Sequence, residues 1–192
     1  MSESIIEMKT AMRAKVRVEV QQLTRAQREG AAVEICARLV EQPVWKNART
    51  VLLFAPLPDE PNVRPLFHAA LADGKLTALP RFNGRMNDYE AAVISDPATD
   101  LVEGKFGIVE PAATCETLDL KRLDLVLVPG VAFGWQGHRL GRGKGFYDRL
   151  LAEVSGKTCG VAFDQQVVST IPVEPHDVRL NCILTPSHWL EL

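Results

Sequence analysis

The chain has 192 residues, with 22 Lys and Arg against 24 Asp and Glu, and this near-neutral balance argues against broad binding to nucleic acid or anionic membrane. At 46% hydrophobic and 24% charged residues it is composed like an ordinary globular chain, long enough for one domain with a substantial core. Glu3, Glu7, Lys9 and Arg13 interrupt the N-terminus, so it lacks the apolar centre of a secretory signal; no run is long enough to span a bilayer, and a cytoplasmic protein is expected.

Residues 1–42 read as a helical pair. Ile5, Met8, Met12, Val16 and Val20 recur at three- and four-residue steps and form one apolar stripe. Thr24 followed by Gln27 predicts a capping box that opens a second helix, with Ala32, Ile35, Cys36, Leu39 and Val40 on its buried side and Pro43 just past its end. Residues 50–55 then form a short apolar run ended by Pro56, which predicts a buried strand. Residues 64–72 predict a helix stopped at Gly74, and 76–79 a strand ended by Pro80. Further strands are expected over 89–94, 124–128, 158–163 and 181–184, with a helix over 146–154. Residues 95–122, rich in Pro, Gly and Asp, carry no clear pattern.

Strands separated by helices predict an α/β fold: a three-layer, mostly parallel sheet with helices on both faces, forming a single domain over 1–192. Ligands of such sheets sit beyond the carboxyl ends of the strands, which directs attention to the segments after Ala55, Leu79 and Val128. Cys36, Cys115, Cys159 and Cys182 are far apart and show no CxxC or His pairing, so reduced, mostly buried thiols are expected. His68, His138, His176 and His188 have no ligand spacing, and His176 lies closest to the expected site.

The stretch from Arg139 to Asp148 carries the chemistry. Gly141, Gly143 and Gly145 alternate ahead of the helix at 146, with Arg142 and Lys144 between them. Glycines permit close approach of a ligand, and a loop of this kind aims backbone N–H groups at phosphate oxygens, aided by the dipole of the following helix. Asp148, in the first helical turn, fits either a magnesium ligand or simply a favourable charge at the start of the helix. The pattern is neither a Walker A motif nor a dinucleotide fingerprint. Taken alone it fits either a phosphate cradle or a solvated, flexible turn.

The surrounding residues resemble one family. The run 124–133 (DLVLVPGVAF) followed by 137–151 (GHRLGRGKGFYDRLL) is similar to the signature of the 5-formyltetrahydrofolate cyclo-ligases, also called methenyltetrahydrofolate synthetases. Lys9 with Arg13, residues 54–60 (FAPLPDE), Pro80-Arg81, 107–111 (GIVEP), 160–163 (GVAF) and 172–177 follow in the family's order. The resemblance implies ATP- and magnesium-dependent ring closure of 5-formyltetrahydrofolate to 5,10-methenyltetrahydrofolate. The implied protein is a monomer whose partners are the folate and ATP.

By that resemblance Lys9 and Arg13, four apart on one helical face, reach the ATP phosphates together with Arg139, Gly141, Arg142, Gly143, Lys144, Gly145 and Tyr147. Arg142 and Lys144 are the implied catalytic cations. Ala55, Glu60, Arg81, Phe146 and Tyr147 are the implied folate contacts, with Glu60 facing the guanidine-like edge of the pterin and Asp59 a competing carboxylate. Asp148 and Asn181 are the implied metal ligands. The chain departs from the family at three places: Phe146 stands for a common tyrosine, Asn181 for an acid, and Gly134 for an aspartate after GVAF. Two other functions fit less of the pattern: a different phosphate-handling enzyme on this scaffold, or a non-catalytic nucleotide- or folate-binding protein. The first would ignore formyltetrahydrofolate; the second would bind without releasing phosphate.

Overall fold

The structure is a computed structural model that describes residues 4–104 and 107–192. The chain opens with α1 (Ile5–Gln21), α2 (Arg25–Val40), α3 (Pro43–Asn47), β1 (Thr50–Leu52) and α4 (Pro65–Ala72). The middle carries β2 (Leu76–Asn83), β3 (Asp88–Ile94), α5 (Pro97–Asp100), β4 (Leu101–Glu103), β5 (Val109–Pro111) and β6 (Thr117–Leu118). Next come β7 (Leu125–Val128), β8 (Ala132–Gly134), β9 (Arg139–Leu140) and α6 (Phe146–Glu153). The last elements are β10 (Lys157–Val161), β11 (Val167–Val168), β12 (Cys182–Leu184) and β13 (Trp189–Glu191).

An eight-stranded sheet runs β13-β12-β10-β7-β1-β2-β3-β6. Its centre, from β12 to β2, is parallel, and β13, β3 and β6 join it antiparallel. Successive side chains of a strand point to opposite faces. Val51, Leu53, Leu125 and Leu127 therefore pack with α2, α3 and α4 on one face. Leu52, Val126 and Val128 pack with Leu150 and Leu151 of α6 on the other. Both faces are covered, which is why these strands read as unbroken apolar runs. Each side chain so buried stabilises the fold by about 1.5–3 kcal/mol.

The capping box at α2 forms as predicted: Gln27 N–H donates to Thr24 Oγ1 at 3.2 Å, and Thr24 N–H to Gln27 Oε1 at 2.8 Å. The first helix behaves differently from a layer helix. Val16 and Val20 of α1 pack against Val131, Ala132, Leu140 and Phe163, around a separate three-stranded sheet β11-β8-β9 that the sequence pattern did not reveal.

Pro80 does not end β2, which continues to Asn83. By Pro80 the parallel neighbour β1 has already stopped, its last register partner being Leu52 with Ala78. The missing N–H therefore faces no ladder acceptor on that side, a position that tolerates proline. The stretch 95–122, patternless in sequence, holds α5, the small β4–β5 pair and β6. All four cysteines are free thiols, and burial pushes Cys36 and Cys182 up to about 11. Among the described residues no helix is long and apolar enough to cross a membrane.

Candidate active site

From β1 the chain passes through α4 on one face to β2; from β7 it passes through α6 on the opposite face to β10. The connections thus diverge between β1 and β7. A crevice opens at the carboxyl ends of strands that part in this way. A cavity of about 310 Å³ lies there, floored by Phe54 and Ala55 after β1 and by Pro129 and Gly130 after β7.

The glycine loop forms one wall. Gly141, Arg142, Lys144 and Gly145 line the cavity, followed by Phe146, Tyr147 and Asp148 of α6. Gly143 and Gly145 hold φ of 96° and 68°, the left-handed region open to glycine at little cost. Gly145 is the N-cap of α6 and supplies no side-chain cap, so the first N–H groups of the helix remain available to an anion. Arg13 fastens the loop from outside, its Nε donating to the Gly141 carbonyl at 2.8 Å.

The cations differ in what they already hold. Buried Arg139 donates from Nη2 to Asp148 Oδ1 at 2.7 Å, while its buried Nε has no partner among the described residues. Arg142 donates from Nη2 to Asp59 Oδ1 at 2.6 Å and to Glu60 Oε1 at 3.0 Å. Lys144 is exposed, and its ammonium has no hydrogen-bond or ion-pair partner among the described residues. The loop thus presents one uncommitted ammonium beside a guanidinium held by acids.

Of the two adjacent acids weighed from sequence, the buried Glu60 lines the cavity and Asp59 does not. Burial pushes the Glu60 carboxyl up, and this outweighs the Leu57 N–H at 3.0 Å and the Arg142 guanidinium, which act the other way. Phe146 packs edge-on against Tyr89 at 5.2 Å and Phe82 at 5.7 Å. Burial holds the Tyr147 phenol well above its ordinary range, and the Arg139 guanidinium lies 5.6 Å from its ring. These rings give the cavity flat apolar walls suited to a planar heterocycle.

Three expected contacts lie elsewhere. Arg81 does not line the cavity. It donates to Glu90 Oε1 at 2.9 and 2.7 Å and to the carbonyls of Ala112 and Cys115 at 2.7 and 2.9 Å, tying the chain after β5 to the β2–β3 hairpin. Lys9 is buried, and its ammonium donates to Glu174 Oε2 at 2.8 Å and Asp177 Oδ2 at 2.6 Å. Asn181 is not brought to Asp148. It stands at the amino end of β12, and its Oδ1 accepts from Thr158 N–H at 2.8 Å and Thr158 Oγ1 at 3.1 Å. With that oxygen engaged at the far end of the strand, Asn181 does not fit a magnesium site.

Asp148 does fit, because Arg139 occupies only its Oδ1 and the residue lines the cavity beside the loop. Magnesium keeps several waters and is held by one or two carboxylates plus substrate phosphates, so a single open carboxylate oxygen is a sufficient protein ligand. Glu174, His176 and Asp177 also bring ligand atoms within 4.8 Å of one another, with Lys9 already on the two acids. Sequence reasoning missed that grouping, whose local signal was the acid-His-Asp run at 174–177. It also missed Tyr89 and Glu110, which line the cavity from β3 and β5; the signal for Glu110 was its place in the GIVEP run.

A glycine loop and cations at the switch point of a largely parallel α/β sheet form a site suited to phosphate groups, as in ligand-binding enzymes of this architecture. Residues 5–186 match the model of the 5-formyltetrahydrofolate cyclo-ligase family. A 5-formyltetrahydrofolate cyclo-ligase of Escherichia coli K12 is 32% identical over 169 residues, covering 86% of this chain and 93% of its own. The mouse enzyme of that name is 27% identical, with 92% of both chains covered. A solved 5,10-methenyltetrahydrofolate synthetase from Aquifex aeolicus superposes with a TM-score of 0.87 at 33% identity, over 96% of this chain and 92% of that one. The chain belongs to the 5-formyltetrahydrofolate cyclo-ligase family, and is a ligase-class enzyme.

Proposed function

We propose that the protein catalyses ATP- and magnesium-dependent cyclisation of 5-formyltetrahydrofolate to 5,10-methenyltetrahydrofolate, releasing ADP and phosphate. The observation that carries this reading is the single cavity in which the glycine loop, Lys144, the buried Glu60 and an aromatic wall meet, in a chain of this family.

The formyl oxygen of an amide is a poor leaving group. Transfer of the γ-phosphoryl group to it, with ADP departing, creates an activated imidate-like phosphate. N10 of the folate then attacks the formyl carbon and gives up its proton, and the C–O bond breaks as phosphate leaves with the former formyl oxygen.

The protein's contribution is positioning and charge. The N–H groups of the loop and of the start of α6 receive phosphate oxygens, and Lys144 follows the moving phosphoryl group as a mobile point charge. Arg142 and Arg139 hold fixed guanidinium forks at the same wall. Glu60 receives N–H donors of the pterin while Phe146 and Tyr147 flank the ring and exclude water. Magnesium, held by Asp148 and the phosphates, would neutralise charge on the departing ADP.

The test is the absorbance of methenyltetrahydrofolate formed from 5-formyltetrahydrofolate, ATP and magnesium, with each component omitted in turn. Product that requires all three is expected. Phosphate release indifferent to formyltetrahydrofolate would show that the site serves another acceptor.

A further inference from the structure

Among the described residues three carboxylates line the cavity: Glu60, Glu110 and Asp148. Their oxygens are not equally committed. Asp148 Oδ1 accepts from Arg139, and both Glu60 oxygens are occupied, Oε2 by Leu57 N–H and Oε1 by Arg142. Glu110 Oε2 accepts from Phe82 N–H at 3.1 Å, yet its Oε1 has no donor and the residue has no ion-pair partner among the described residues. A half-buried carboxylate at an aromatic-walled cavity with one oxygen uncommitted is an acceptor prepared for a ligand N–H. Its charge reaches the neighbouring Tyr89, whose phenol is pushed up by burial and then by Glu110 and Glu60.

The local backbone is shaped for that carboxylate. At Gly104 an added Cβ would collide with the carboxyl carbon, Oε1 and Cγ of Glu110, so the side chain occupies space that only glycine leaves open. The Phe82 N–H fixes the other oxygen, and β5 carries the residue to the cavity from outside the main sheet.

We propose that Glu110 is a specificity-determining residue, a second carboxylate that accepts ring N–H groups of the pterin alongside Glu60. This rests on the cyclo-ligase reading for the identity of the ligand. A pterin carries several N–H donors around its two rings, more than Glu60 alone satisfies while it also holds Leu57 N–H.

The test is Glu110→Gln. The amide oxygen still accepts from Phe82 N–H, so the fold is kept, but an N–H₂ replaces the open oxygen and meets ligand donors with a donor. The Kd for 5-formyltetrahydrofolate by calorimetry, and its KM, are expected to rise about tenfold or more. The KM for ATP and the thermal midpoint are expected to stay at wild-type values. Gly104→Ala, which evicts the carboxylate, is expected to reproduce the folate effect. Unchanged folate affinity in folded Glu110→Gln would overturn the proposal, as would a matching loss for ATP together with a lowered thermal midpoint. An inactive wild type that still binds the folate would remove the cyclo-ligase reading alone. The calorimetric comparison would then judge Glu110, and a wild type that does not bind the folate would remove both.

Discussion

Arg142 donates to Glu60 Oε1 from Nε at 3.3 Å and from Nη2 at 3.0 Å, so the cation assigned to the nucleotide and the acid assigned to the folate are partners across the cavity. A folate that takes Glu60 removes one of the two acids holding Arg142 and leaves only Asp59, at 2.6 Å. The cost of separating the pair falls on whichever substrate binds first, so the two substrates assist one another. A non-hydrolysable ATP analogue is expected to bind several-fold more tightly when 5-formyltetrahydrofolate is present. In Glu60→Gln the analogue is expected to bind at least as well without folate as it does to wild type, and the assistance should vanish. Calorimetric titrations of both proteins, with and without the second ligand, check this.

The exposed Lys144 ammonium has no partner among the described residues, so its removal costs little stability. Lys144→Ala is expected to lower kcat by about a hundredfold or more with an unchanged thermal midpoint. Steady-state kinetics beside a melting curve is the measurement, and near-wild-type kcat in a folded variant would remove Lys144 from the phosphoryl path.

Arg81 predicts the opposite split. Its guanidinium satisfies Glu90 and two backbone carbonyls, so Arg81→Ala leaves half-buried acceptors without donors. The expected loss is about 1–3 kcal/mol of stability. KM for the folate should change little in the protein that remains folded. Denaturant unfolding and kinetics on the same preparation separate the two effects.

The Lys9–Asp177 pair sets a pH window. Burial acts to raise the Asp177 carboxyl, but hydrogen bonds from Lys9 and Glu174 N–H outweigh it and hold the group below its ordinary value. Its stabilisation is therefore complete above about pH 4 and lost as pH falls through the folded pKa. Burial alone would lower Lys9, but Asp177 and Glu174 hold it above its ordinary value. That contribution is complete below about pH 10 and lost as pH rises through the folded pKa. Lys9→Met should destabilise the protein at neutral pH, with the deficit relative to wild type shrinking towards pH 3. Urea unfolding across that range reads it.

Residues whose roles depend on near neighbours were legible in the sequence. The two-sided strands around Leu52 and Val126, the Thr24–Gln27 box and the loop from Arg139 to Asp148 each declare themselves within about ten residues. Residues whose roles depend on distant partners were not. Lys9 on a helical face looks solvated until a partner 168 positions away covers it, and Arg81 looks available until Ala112 and Cys115 arrive. Asn181 opens a strand expected from the sequence, yet that this strand runs parallel to β10, with its amino end away from the cavity, is decided by the sheet topology. Glu110 reaches the cavity through β5, whose separate pairing with β4 left no periodicity to read.

The placement of α1 also bears on how the chain is made. It is synthesised before the residues it packs on: Val16 and Val20 are covered by residues between 131 and 171, and Lys9 meets its acids only at 174 and 177. Through most of synthesis this helix lacks those partners, and much of its apolar stripe stays exposed. Arg13, which fastens the glycine loop, travels with it. A fastened loop thus depends on a contact across 128 positions, from Arg13 to Gly141, which cannot form until both are synthesised.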